Sequence, residues 1–207
     1  MYDTTSRRTL LTVGGAAALT ALAGCSDSGS GADPDAIADD SRPSLGDDSA
    51  PVTVTVFEDF GCPACRGFKR QATPAIVQRY VEPGDVRYLH ADFPIPVDEA
   101  WSYPVAGAAR AVFEAAGNDA FWGFSSNVYE HQGSYSLDAI ETVADDVAGV
   151  GSEARSAAED GTYREVVEAD RERGEEWGVS GTPSVFVDEE GVDPDLDAID
   201  EAIRSRL

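Results

Sequence analysis

Two cysteines three positions apart, Cys62 and Cys65, stand where a strand pattern gives way to a helix pattern. Upstream, Pro51-Val52-Thr53-Val54-Thr55-Val56-Phe57 is a β-branched run that reads as a buried strand. Glu58 to Gly61 is a short turn. Downstream, Pro63 suits the first helical position, and Phe68, Ala72, Ile76 and Tyr80 recur at four-residue spacing on one face. Pro74 is expected to kink that helix. Cys62 therefore occupies a helix N-terminus, where unpaired backbone N–H groups and the macrodipole favour the thiolate. Cys65 lies one turn further in, near enough to bond Cys62 but more covered and less nucleophilic.

Chemistry is the best use for such a pair. A disulfide across so short a loop removes little chain entropy and makes a poor staple. A structural zinc site is disfavoured too, because the pair supplies two of four ligands and only His90 and His131 remain as further soft donors. Both histidines read as ordinary strand and helix residues, and no metal site is assigned. Arg66, Lys69 and Arg70 crowd the same helical turns, and read equally as support for the thiolate or as a solvated face. Glu58 and Asp59, on the turn, read as solvated carboxylates, since carboxylates are seldom buried.

The N-terminus is an address rather than part of a fold. Arg7-Arg8 precede an uncharged apolar stretch, Leu10 to Ala23, as in an export signal of the twin-arginine type. That stretch is roughly 21 Å long as a helix, short of a hydrocarbon core of about 30 Å. It ends in Leu22-Ala23-Gly24-Cys25, which resembles a lipobox. Residues 1–24 are then a signal peptide, and Cys25 bears a lipid that anchors the protein to the outer face of the cell membrane. Residues 25–44, rich in Ser, Gly and Asp, read as a flexible acidic tether, and the folded part is expected over 45–207. The chain's 39 Asp and Glu against 15 Lys and Arg give a formal net charge of −24, which opposes binding to nucleic acid. With 42% apolar residues the chain is nonetheless globular, and so acidic a surface suits a halophilic source. At 1 M salt the Debye length is only about 3 Å, and its carboxylates barely sense one another.

Far along the chain, Trp177-Gly178-Val179-Ser180-Gly181-Thr182-Pro183 precedes an apolar strand, Ser184-Val185-Phe186-Val187. A proline at a strand start after a glycine-containing turn suits a cis bond. Between the two motifs, Val86 to His90 reads as a second strand, and helices are expected over Ala106–Ala116, Ala120–His131 and Leu137–Val147. Ser134 or Ser136 is placed to cap the third of these. Phe113, Phe121, Trp122 and Phe124 read as core rather than as a cofactor box. Asp195 to Leu207 reads as a closing helix.

Taken together, the strand-Cys62-Pro63-Ala64-Cys65-helix unit and the Gly181-Thr182-Pro183-strand unit resemble the thioredoxin superfamily, and within it the DsbA-type thiol–disulfide oxidoreductases. The likeness is closest in Leu45-Gly46, Ala50-Pro51-Val52 and Asp59-Phe60-Gly61-Cys62-Pro63-Ala64-Cys65. It implies an α/β thioredoxin fold, a central mixed β-sheet flanked by helices, with an inserted helical subdomain at about 98–160. It implies that Cys62 and Cys65 are catalytic as a redox-active disulfide with no other cofactor. Thr182 and Pro183, with Pro63 and Ala64, would meet the substrate. Many such proteins place a buried acid six residues before the first cysteine, whereas here that position is Val56. The expected partners are secreted protein thiols or disulfides and a quinone-linked thiol oxidase of the membrane. The expected activity is extracytoplasmic oxidation of dithiols. An exported reductase, for example for cytochrome maturation, and a lipoprotein carrying a soft metal or a peptide remain open alternatives.

Overall fold

The computed structural model describes residues 42–95 and 97–207. The expected signal peptide, Cys25 and the expected tether up to residue 41 lie outside them. Five strands form one mixed sheet in the order β1-β3-β2-β4-β5: β1 (Ser44–Leu45), β2 (Val52–Glu58), β3 (Val86–Asp92), β4 (Ser184–Val187) and β5 (Glu190–Val192). β2 and β3 run parallel, with Val56 beside His90 and Glu58 beside Asp92, and the other neighbours are antiparallel. The helices are α1 (Pro63–Ile76), α2 (Ser102–Val128), α3 (Leu137–Ala148), α4 (Gly151–Asp160), α5 (Arg164–Glu176) and α6 (Leu196–Arg204). A parallel pair needs a crossover, and α1 supplies it between β2 and β3. Among the described residues no helix is long and apolar enough to cross a membrane.

Side chains alternate along a strand, so β2 sends Val52, Val54 and Val56 to one face and Phe57 to the other. The first face meets Phe68 and Ile76 of α1, Phe121 and Phe124 of α2, and Ile199 and Ile203 of α6. Burial of each such side chain stabilises by about 1.5–3 kcal/mol, which draws the aromatic stripe inward as expected. On the other face, Phe57, Ala91, Phe93, Val179 and Phe186 make a second cluster. There α5 comes so near the sheet that a Cβ at Gly174 would lie 2.5 Å from the Phe93 ring. Helices α2, α3 and α4 pack on one another as the inserted subdomain.

Three local details differ from the sequence reading. The fold begins before residue 45: Arg42 is buried, and its guanidinium donates to Asp170 of α5 at 2.7 and 3.0 Å. Losing one partner of a buried ion pair costs about 3–5 kcal/mol, so the last residues assigned to the tether belong to the core. Pro74, expected to kink α1, lies inside it, and just beyond it the helix gives way to a π-helical turn, Val77–Val81, that the sequence reading did not include. The helices expected over 106–116 and 120–131 meet at Gly117, whose φ of +81° breaks the helical path inside α2. The caps fall where serine and aspartate predict them: Ser136 accepts from the Ala139 N–H, and Asp195 from those of Asp197 and Ala198.

Candidate active site

Cys62 is the N-cap residue of α1, with φ −84° and ψ 119°, and Pro63 follows in the first turn. Its side chain is in the extended-to-helix corner between β2 and α1, 5% exposed, while Cys65 is fully buried beneath it. The two sulfurs are not bonded to each other. Thr182 and Pro183 come in from the opposite side through a cis peptide bond immediately before β4. The Cys62 thiol donates to the Thr182 carbonyl at 3.3 Å, joining residues 120 positions apart. Pro63 and Ala64 are exposed at the mouth. Cys62, Pro63, Ala64, Cys65, Thr182 and Pro183 are thus gathered in one place, whereas Cys25 lies outside the described residues.

The two thiols are driven apart electrostatically. Cys62 is pulled down to about 5, chiefly because the Cys65 thiol donates to its thiolate. Burial opposes this, and Thr182 with the backbone N–H groups of Cys65 and Ala64 adds to it. Cys65 moves the other way: burial, the negative Cys62 and the Glu58 charge all raise it, so it stays a thiol. The Asp59 N–H donates to its sulfur at 3.5 Å.

The turn before Cys62 is clamped rather than free. The Asp59 carboxylate accepts from the N–H groups of Gly61 at 2.8 Å and Ile95 at 3.0 Å, and from the Ser102 hydroxyl at 3.0 Å. Burial raises its pKa in spite of those three donors. The Phe60 carbonyl accepts from Tyr135 at 2.9 Å and from the Gln132 amide at 2.8 Å. The helical subdomain therefore fixes the backbone that presents the nucleophile.

Glu58 and Asp59 are both buried, which corrects the expectation of solvated turn carboxylates. The physical reason is that β2 runs on through Glu58, which shares the inward face of Val54 and Val56. Glu58 Oε2 lies 3.1 Å from His90 Nδ1, and His90 Nε2 lies 3.1 Å from Asp92 Oδ1. His90 is thus a bridging group, not an ordinary strand residue. Burial pulls its imidazole down, but Asp92 and then Glu58 outweigh this and push it up to about 9. Lys69 is buried as well, 3.9 Å from Glu58 Oε2 and 4.1 Å from the centroid of the Trp122 ring. Burial lowers its pKa against the favourable charges of Glu58 and Cys65. Neither reading of the basic stretch covers it, since Lys69 is not solvated and pairs with Glu58 instead. Its being the chain's one lysine, on the apolar face one position after Phe68, was the available signal.

A family model described as thioredoxin matches residues 39–205. The chain is 30% identical over 174 residues to the probable disulfide bond formation protein D of Bacillus cereus, covering 79% of this chain and 78% of that protein. In fold it is similar to oxidised BdbD of Bacillus subtilis, with a TM-score of 0.75 and 24% identity over 82% of this chain and 94% of that one. It is also similar to DsbA of Chlamydia trachomatis, with a TM-score of 0.72 and 18% identity over 79% and 90%. With the paired cysteines and the cis-proline already in place, these matches lead to one conclusion: the chain belongs to the thioredoxin family, as a protein disulfide oxidoreductase with the fold of the DsbA structures.

Proposed function

We propose that the protein oxidises dithiols of exported polypeptides, with Cys62 as the exchanging sulfur and Cys65 as the resolving one. The observation that carries this reading is the opposite displacement of the two thiols, Cys62 down to about 5 and Cys65 upward. A substrate thiolate attacks Cys62 Sγ of the Cys62–Cys65 disulfide, the S–S bond breaks, and Cys65 leaves with the electron pair and takes up a proton. The second substrate thiolate then attacks the substrate sulfur held on Cys62. That closes the substrate disulfide, and Cys62 departs as a thiolate. The substrate loses two electrons and the protein pair gains them, so the two sulfurs suffice without a metal or organic cofactor. The Thr182 carbonyl and Pro183 receive the substrate backbone beside a cavity of about 530 Å³ that Ala64, Phe68, Pro183 and Leu196 help to line.

Direction follows from which redox form is stabilised. A thiolate held at low pKa stabilises the reduced pair and makes the disulfide a stronger oxidant. The expected reduction potential is above about −230 mV, on the oxidising side of the family's range of roughly −270 to −120 mV. Equilibration against glutathione measures it, and a value below about −250 mV would reassign the protein as a reductase.

Buried Cys65 needs a proton acceptor and donor in each cycle, and Glu58, whose charge acts on it, serves as that group. Glu58 reaches the site from two residues beyond Val56 on the same strand face. With Glu58→Gln, disulfide closure by the reduced protein is expected to slow by about 10- to 100-fold. An unchanged single-turnover rate would make Glu58 purely structural.

The reading extends to place. An export signal at 1–24, a lipid on Cys25 and a tether would hold the domain at the outer membrane face, beside a quinone-linked thiol oxidase that restores the disulfide. Finding unmodified Cys25 in the membrane fraction would remove the anchor. The net charge of −24 suits a salt-rich exterior, and equal folding in millimolar and molar salt would remove that part.

A further inference from the structure

A second cavity, of about 850 Å³, opens beside the reactive turn and is lined by Gly61 and Pro63, the two neighbours of Cys62. It shares Gly67 and Gln71 with the cavity beneath Pro183, so the two form adjoining hollows along α1. Arg66 and Arg70, one helical turn apart, stand on the α1 wall, and Asp98 on the facing wall is the one carboxylate among its lining residues. Among the described residues Arg70 has one loose partner, Glu130 at 3.9 Å, and both side chains are 57% exposed. Such a pair holds its charges weakly and leaves the guanidinium free to exchange partners. The lining carries two cations to one anion, with Glu130 beside it as the partner of Arg70, in a chain with 39 acidic residues to 15 basic. The acidic excess of the chain is thus absent from the groove beside Cys62.

We propose that this groove receives an acidic segment of the substrate polypeptide, with aspartate or glutamate a few residues from the reacting cysteine. The inference rests on the exchange reaction above and names the substrate class for it. Elsewhere the acidic surface repels such a segment, so the groove both admits it and orients it. Guanidinium groups suit the task because their planar forks bind carboxylates bidentately. Steering from a distance fades in concentrated salt, whereas direct contacts inside a partly dehydrated groove are screened less.

The test compares two dithiol peptides that differ only in having two aspartates or two asparagines beside their cysteines. For the wild-type protein at the lowest salt at which circular dichroism shows it folded, kcat/KM is expected to favour the acidic peptide by about tenfold, falling toward about twofold at 1 M salt. In the double variant Arg66→Gln/Arg70→Gln the ratio is expected to fall to within about twofold of unity, and in Arg66→Glu/Arg70→Glu to drop below one. A wild-type ratio near unity, or a ratio that ignores both salt and the substitutions, overturns the proposal. The salt series on the wild-type protein decides the matter even if a variant fails to fold. Should neither peptide be oxidised at all, the exchange reading itself is overturned, and the substrate class with it.

Discussion

Replacing Cys62 with serine yields a protein that folds but exchanges no disulfides, with turnover below about one-thousandth of wild type. A serine oxygen forms no exchangeable bond with sulfur, and its hydroxyl does not ionise at neutral pH as a thiol held at about 5 does. Cys65 cannot take over. It is fully buried, and burial, Cys62 and the Glu58 charge keep it protonated. The fold is retained, because Cys62 anchors no part of the main sheet and a hydroxyl can make the same hydrogen bond to the Thr182 carbonyl. Oxidation of a dithiol peptide in a single turnover, with circular dichroism to confirm the fold, measures both halves of this expectation. Residual activity above a few per cent would show that the nucleophile lies elsewhere.

The pH dependence of Cys62 is the second large effect. Alkylation of the reduced protein is expected to rise with a midpoint near 5, whereas an ordinary cysteine has its midpoint near about 8.5. At pH 7 that means about 99% thiolate against about 3%. The consequence for stability has a definite sign. Cys62 is an acid whose folded pKa is depressed, so its contribution is complete above about 8.5 and is lost as pH falls through about 5. Across that window the reduced protein gains stability with rising pH relative to the oxidised one, in which Cys62 does not titrate. His90 acts oppositely: its folded pKa is raised to about 9, so its contribution is complete below about 6.5 and is lost as pH rises through 9. The Glu58 and Asp92 contacts that hold His90 do not involve the S–S bond, so this effect enters both redox forms and the reduced-minus-oxidised difference isolates Cys62. Cys65 titrates only beyond this window, because its thiol is raised. An alkylation midpoint near 8.5 would contradict the electrostatic account of the site.

How far the sequence carried these conclusions depends on the range of each signal. β2, α1 and α6 announce themselves through local periodicity and capping, so their positions were readable from the chain alone. The pairing of Cys62 with Thr182 spans 120 residues, and it came from two motifs that make sense only together. β1 and β5 are two and three residues long, too short for any pattern to emerge, and only pairing with a neighbour defines them. The buried contacts among Glu58, Lys69 and His90 are not legible in the sequence, for a general reason. A charged residue reads as exposed until its partner is known, and here the partners lie on β2, α1 and β3. The alternation Val54, Val56, Glu58 did point inward, but the residue type argued against following it. Arg42 was assigned to the tether by the composition around it, while its partner Asp170 lies 128 positions away.

The central claim is that a visiting sulfur is bonded at Cys62 and nowhere else in the protein. The direct test is to incubate reduced Cys65→Ala protein with a single-cysteine peptide carried as a mixed disulfide with a small leaving thiol, and map the product by mass spectrometry. Cys62 displaces the small thiol, and with neither Cys65 nor a second peptide thiol present the new disulfide does not resolve, so one peptide per protein is expected, linked through Cys62 and released by reductant. An adduct on any other residue, or no adduct while the wild-type protein turns over the same peptide, would contradict the account.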